Sequence, residues 1–368
     1  MSEIRQVPPA EVPDEVAPEP VGNGVRGVLR RRLTETTTWT FLILLAIVAG
    51  FTALRFQQFA TVFNFRNIAA DASGLLIIAV GMTFVIITAG IDLSVGSVLV
   101  FSGVIAAKVM LAIGGGGWDA IAAGLVAGLV AGTAWGVVNG VLITKARVPP
   151  LIVTLGTLSI ALGLAQVITG GIDIRSVPEA LTDFNTYIKI LGIPSLPFVA
   201  LITVIIGGII LHKTRFGRYT YAIGSNEESA RRVGVHVSRH LIMVYALMGM
   251  LAGLGAVLAL AQFGTTTIAG QSLTNLNVIA AVVIGGTSIF GGEGSIFGTV
   301  VGLFIPAVLQ AGFVIIGVEP FWQGVAVGMV LIAAVWVDQS RRAAALRGAT
   351  HINPILALFR RNTSASDK

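Results

Sequence analysis

An all-α, polytopic membrane protein of about ten transmembrane helices, with both termini cytoplasmic, is the fold class that three observations predict. Of the 368 residues 55% are hydrophobic and 11% charged, at a mean hydropathy of +0.88; an ordinary soluble domain carries about 25% charged residues. Apolar runs near the roughly 20 residues that cross a bilayer core recur along the chain. The basic residues sort to one side of those runs.

Residues 1–33 come before the first run. The stretch "MSEIRQVPPAEVPDEVAPEPVGNG" is rich in Pro, Glu and Val and has no secretory-signal pattern. A disordered cytoplasmic tail is expected, closing on Arg26, Arg30, Arg31 and Arg32. The transmembrane domain is expected over 34–340. Its spans fall at about 39–56, 70–90, 94–113, 119–143, 150–170, 194–212, 241–262, 272–290, 295–317 and 320–337. Gly-rich stretches around 90 and 290 are where a helix is expected to break or re-enter. Residues 341–368 form a second cytoplasmic tail. Of the 24 lysines and arginines, only Arg55, Arg66, Lys108, Arg175 and Lys189 lie outside the cytoplasmic set. The net charge of +6 is therefore a topology signal and calls for no nucleic acid.

In the fourth span Gly124, Gly128, Gly132, Gly136 and Gly140 recur at every fourth position and make one ridge on a helix face. Close packing against another helix is the expected role.

Between the sixth and seventh spans, residues 213–240 form a polar loop. Ser225 precedes Glu228 by the capping-box spacing, which predicts a helix starting there. Glu227 and Glu228 fill its first turn and Arg231 and Arg232 its last, matching the helix dipole and standing at i, i+4. Gly234 is the expected stop. A helix of about two turns needs a partner to be stable. Lipid headgroups and a cytoplasmic protein both fit that role.

The segment "TRFGRYTYAIGSNEESARRVGVHV" resembles the cytoplasmic coupling segment of sugar permeases of ATP-binding-cassette importers, the ribose, xylose and galactose group. "GIDLSVGS" at 90–97, "VPPLIVTLGTLSIALGLA" at 148–165, "VIGGTSIFGGEGSIFGT" at 283–299 and "FWQGVAVGMVLIAAVWVD" at 321–338 are similar to the same family. The resemblance implies a second permease subunit, as a homodimer, two nucleotide-binding ATPase subunits and an extracytoplasmic sugar-binding protein. It also implies a bacterial plasma membrane location. Gly224, Ser225, Asn226, Glu227, Glu228, Ala230, Arg231 and Gly234 would form the element that docks on the ATPase. ATP chemistry belongs to that partner, because this chain has no G-x-x-x-x-G-K-[ST] phosphate loop.

"GIDLSVGS" and "GGEGSIFGT" share a pattern, with Asp92 and Ser94 against Glu293 and Ser295, as a duplicated half would leave. Acidic and hydroxyl residues ahead of an apolar run serve either as helix caps or in gating. The four histidines fall at loops or span ends, so no intramembrane nucleophile pair or metal site is expected, and no cofactor. An ion-coupled carrier would need buried ionisable groups that the spans scarcely hold. A branched-chain amino acid importer permease is a further alternative. For a neutral hydroxylated solute, Thr154, Thr157, Asn275 and Asn277 are candidates along the path.

Overall fold

In the computed structural model, residues 36–319 are described, apart from 115, 187–188, 191–192 and 269–273, together with scattered positions between 322 and 336. The helices are α1 (Thr36–Leu54), α2 (Phe56–Phe59), α3 (Val62–Ile87), α4 (Val95–Ile113), α5 (Trp118–Thr144), α6 (Pro150–Thr169) and α7 (Glu179–Thr186). They continue as α8 (Ser195–Lys213), α9 (Arg215–Ser225), α10 (Glu227–Arg232), α11 (Val237–Phe263), α12 (Thr274–Ile284) and α13 (Ile296–Ile316). A two-residue hairpin, β1 (Lys189–Ile190) with β2 (Ile193–Pro194), joins α7 to α8. Among the described residues eight helices are long and apolar enough to cross a membrane.

Helix α3 is the axis of the bundle. It is apolar all round and buried without interruption from Leu76 to Thr88, as a helix enclosed by others must be. Helices α8, α11, α12 and α13 pack around it. Helix α1 lies outside and docks through Phe51, which stacks on Phe59 at 5.4 Å and meets Phe313 edge-on at 5.8 Å. The outer faces of α6 and α8 expose apolar side chains such as Ile152, Ile160, Ile202 and Ile206, the surface that lipid or a second subunit accepts.

The glycine ridge on α5 is a packing seam. A Cβ at Gly132 would collide with the Gly249 carbonyl, and one at Gly136 with that of Tyr245. The partner face on α11 carries its own glycines, Gly249 and Gly253, whose places for a Cβ are filled by the Gly132 and Gly128 carbonyls. The pattern on α5 is visible in sequence as a four-residue repeat; its complement on α11 is two glycines, too few to stand out.

Two expectations change. The span expected at 272–290 is an 11-residue helix, α12, which at 1.5 Å per residue is about 16 Å long, half of a roughly 30 Å hydrocarbon core. It ends because Gly285 lies against the Gly298 backbone and Gly286 turns at φ +92°. The span expected at 320–337, and the tails 1–33 and 341–368, lie wholly or mostly outside the described residues.

Candidate functional site

Helices α9 and α10 lie at the end of the bundle where α3, α5 and α8 finish and α4, α6, α11 and α13 begin. Thr214 occupies the N-cap of α9. Along α9, Thr220 shares a 2.9 Å hydrogen bond with His240 of α11, whose ring packs 4.5 Å from that of Phe216. The Tyr221 hydroxyl donates to the Gly294 carbonyl at 2.7 Å. Burial pushes that phenol up to about 12, so it stays a donor.

The α9 helix runs to Ser225, so Ser225 is not the N-cap of the next helix, as the capping-box spacing predicts. Asn226 takes that position, its side chain accepting from the Ser229 N–H at 2.8 Å. Glu228 consequently pairs forward with Arg232 instead of reaching back, and Glu227 pairs with Arg231 at 2.6 Å. The resulting α10 has six residues, shorter than the sequence suggests. Ala230 is buried against Ile223 and Val237. Gly234 at φ +88° closes the helix: its N–H bonds the Arg231 carbonyl while that of Val235 bonds Ala230, both bonds of a Schellman motif. The four charged side chains and Val233 are exposed. Such pairs contribute only ~0.2–1 kcal/mol each, so this charge pattern does little for the fold.

The two glycine-rich motifs meet beneath α9. The Gly292 N–H donates to the Ile87 carbonyl at 2.8 Å. A Cβ at Gly224 would strike that same carbonyl, and one at Gly291 would lie 2.8 Å from the Gly224 oxygen. Glycine is therefore required at 224 by backbone proximity. Ser225 packs on Gly292. Helix α3 ends with Gly90 N–H bonded to Val85 and Ala89 N–H to Ile86, which puts Ala89 at φ +59°. An alanine there carries a strain of about 1–2 kcal/mol, at a position glycine ordinarily fills. Nothing in the sequence pattern pointed to it.

From Ala89 the chain runs back into the bundle as a non-helical stretch. Asp92 is 3% exposed, and its Oδ1 accepts from the Ser94 N–H at 2.8 Å and the Ser94 hydroxyl at 2.6 Å. Asn139 of α5 donates from Nδ2 to Ser94 Oγ at 2.9 Å, and Asn275 of α12 donates to the Leu93 carbonyl at 3.1 Å. The Thr154 hydroxyl, bonded within α6 to Pro150 at 2.9 Å, lies 3.4 Å from the Ile91 carbonyl. Asn139 stands five residues inside the end of α5 and Asn275 nine inside the end of α12, about 8 Å and 14 Å at 1.5 Å per residue. Irregular backbone at such depth is tolerated where protein encloses it.

A second non-helical stretch, residues 264–268, follows α11 at the opposite end. Asp173 Oδ1 accepts from the Ile268 N–H at 2.9 Å and the Thr266 hydroxyl at 3.1 Å, and Thr266 accepts from the Ile174 N–H at 2.8 Å. The interrupted segment at 89–94 and the short helix α12 meet inside the bundle, and the Asn275–Leu93 bond joins them.

Of the residues singled out from sequence, Asp92, Ser94, Thr154 and Asn275 come together there. Thr157 is buried one turn along α6, bonded to Val153 at 3.0 Å. Asn277 is exposed and outside the cluster. Asp92 is not the cap of α4: Ser94 holds that position without a side-chain cap bond. Ser295 caps α13, accepting from Gly298 N–H at 3.0 Å, and Glu293 is exposed, unlike Asp92. Asn139 and Tyr245 complete the cluster; a lone tyrosine in an apolar span gave no signal. Asp71, in α3, was overlooked as a span carboxylate; it accepts from Gln262 at 2.8 Å on the exposed flank.

Interrupted helices meeting inside a membrane bundle are the arrangement by which transport proteins build a path. The chain belongs to the family described as the branched-chain amino acid transport system permease component, which matches residues 64–335. It is 40% identical over 306 residues to the ribose import permease protein of Bacillus subtilis (strain 168), covering 82% of this chain and 92% of that one. It is 38% identical over 303 residues to the D-allose transport system permease protein of Escherichia coli (strain K12), covering 82% and 90%. Against the galactose/methyl galactoside import permease protein of Salmonella typhimurium it is 33% identical over 317 residues, covering 82% and 93%. No solved structure matches the chain significantly.

Proposed function

We propose that this chain is the membrane permease of an ATP-driven importer in the bacterial plasma membrane, forming the path for a monosaccharide. The observation that carries this reading is the 40% identity to a ribose import permease over nearly the whole membrane portion. The assembly comprises two copies of the chain, two ATPase subunits docked on α9 and α10, and an extracytoplasmic binding protein that delivers the sugar. Residues 34–340 form the permease domain with ten membrane crossings, one of them made through the short helix α12, and both tails, 1–33 and 341–368, are cytoplasmic. The contact of Gly224 and Ser225 with the two glycine-rich segments supports a coupling role for Gly224, Ser225, Asn226, Glu227, Glu228, Ala230, Arg231 and Gly234. Asp92 and Ser94 serve in gating; Ser295 and Glu293 serve at the start of α13. Thr154, Thr157 and Asn275 border the path, and Asn277 joins them from an exposed position.

The family's description favours a second substrate class, branched-chain amino acids. Liposomes holding the chain with its ATPase and binding protein separate the two. ATP-dependent uptake of labelled ribose, allose or galactose with no uptake of leucine supports the sugar reading, and the reverse result replaces it.

A further inference from the structure

The Tyr245 hydroxyl and Asn139 Oδ1 are buried on adjacent helices and have no hydrogen-bond partner. Both residues are 1% exposed. Buried polar groups are nearly always satisfied, so an orphan pair at one place demands an account. Asn139 is tied to Ser94 through its other amide atom. Tyr245 Oη lies 2.7 Å from where a Gly90 Cβ would stand, two residues before Asp92. Asp92 has only its Oδ1 engaged, by Ser94. A donor without an acceptor therefore stands against the segment that carries a carboxylate with an oxygen to spare.

The other end of this segment is fixed under the coupling helices. Ile87, five residues before Asp92, accepts from Gly292 and abuts Gly224, and the left-handed Ala89 stands between as a strained joint. Strain of this kind persists where the surroundings over-determine it and collects at switch regions. A displacement of α9 that keeps its Thr220–His240 bond to α11 would therefore carry residues 88–94 past Tyr245.

We propose that Asp92 and Tyr245 form a two-position latch between the re-entrant segment and α11. In the state described here Ser94 holds the carboxylate; in the other, Tyr245 donates its hydroxyl hydrogen to the second carboxylate oxygen. Tyr245 is then a positioning residue that links α9 movement to the interior of the bundle. Gly90 is glycine because a side chain there would displace the hydroxyl from its approach.

The latch rests on the permease reading and is tested apart from it by Tyr245→Phe in liposomes carrying the complete importer. Removing an unpartnered buried hydroxyl leaves the fold unchanged or more stable, so a structural role alone predicts normal melting and normal transport. The expected result is an unchanged or higher melting temperature, ATPase still bound, and at least a tenfold fall in sugar taken up per ATP hydrolysed. A normal ratio overturns the latch alone. Failure of the variant to fold overturns it too, since it would show that the hydroxyl is bonded in this state. Absence of ATP-driven uptake by the unaltered chain overturns the latch and the importer reading together.

Discussion

Substituting Gly132 tests whether the α5–α11 seam holds the bundle together. The ideal Cβ at Gly132 collides with the Gly249 carbonyl and stands 3.0 Å from the Gly253 nitrogen. Both obstacles are backbone, so no rotamer change relieves them and the two helix axes must part. Overpacking of this kind costs about 1–3 kcal/mol, while alanine recovers about 1 kcal/mol over glycine in helix propensity. Gly132→Ala should therefore lose up to about 2 kcal/mol, and Gly132→Leu, with three further carbons in the same place, more than the seam tolerates. Gly156 of α6 is the control, because nothing lies within 4 Å of its Cβ position. The assay is thermal melting in detergent, followed by size-exclusion chromatography. We expect a lowered melting temperature for Gly132→Ala, little monodisperse protein for Gly132→Leu, and no loss for Gly156→Ala. A Gly132→Leu protein melting with the unaltered chain would refute the seam.

Reversing both Glu227 and Glu228 to Arg should abolish ATP-driven uptake while melting changes little, because the two ion pairs are solvent-exposed; normal uptake would remove α10 from the coupling role. Gly224→Val should leave the spans inserted but separate α9 from Ile87 and Gly292, and uptake equal to the unaltered chain would show that this contact is dispensable. The Tyr221 phenol is raised from 10.0 to about 12 by burial, so the unfolded chain releases its proton first and stability falls as pH rises between those values. Tyr221→Phe should flatten the melting temperature over that window, and an identical slope in both proteins would contradict the assignment. Calorimetry of ribose with the purified permease, without its binding protein, should show no micromolar binding, and such binding would mean that the chain holds a tight site of its own.

The helices were legible because membrane spans are long apolar runs, and the charged loop between α8 and α11 was conspicuous against them. Where the reading slipped, a local rule met a tertiary contact. Ser225 has the capping-box spacing, yet α9 continues through it because Gly224 and Ser225 are packed against Ile87 and Gly292. Asn226 is then left to cap α10. The run at 272–290 has span length, but its glycines turn the chain at Gly285, a contact with Gly298 that no periodicity announces. Asp92 and Glu293 occupy similar places in similar motifs, and only packing separates a buried carboxylate from an exposed one. Tyr245 and Ala89 are ordinary residues whose interest lies in an unpartnered oxygen and a positive φ, neither of which a sequence displays.

The arrangement of polar groups bears on where selectivity resides. Around the meeting of the two interrupted segments stand amides, hydroxyls and backbone carbonyls, with one carboxylate already held by two hydrogen bonds from Ser94. Groups of this kind exchange hydrogen bonds with a hydroxylated solute at small net gain, since all but the Tyr245 hydroxyl and Asn139 Oδ1 were satisfied beforehand. A solute of fixed negative charge would find no cation among them, and a cation would have to draw Asp92 from Ser94. A neutral polar solute can therefore pass without being trapped. Tight recognition, if placed here, would deepen a well in the middle of the path and slow release. On the proposed reading, discrimination among sugars would belong instead to a separate binding protein, and the permease would be left with coupling and gating.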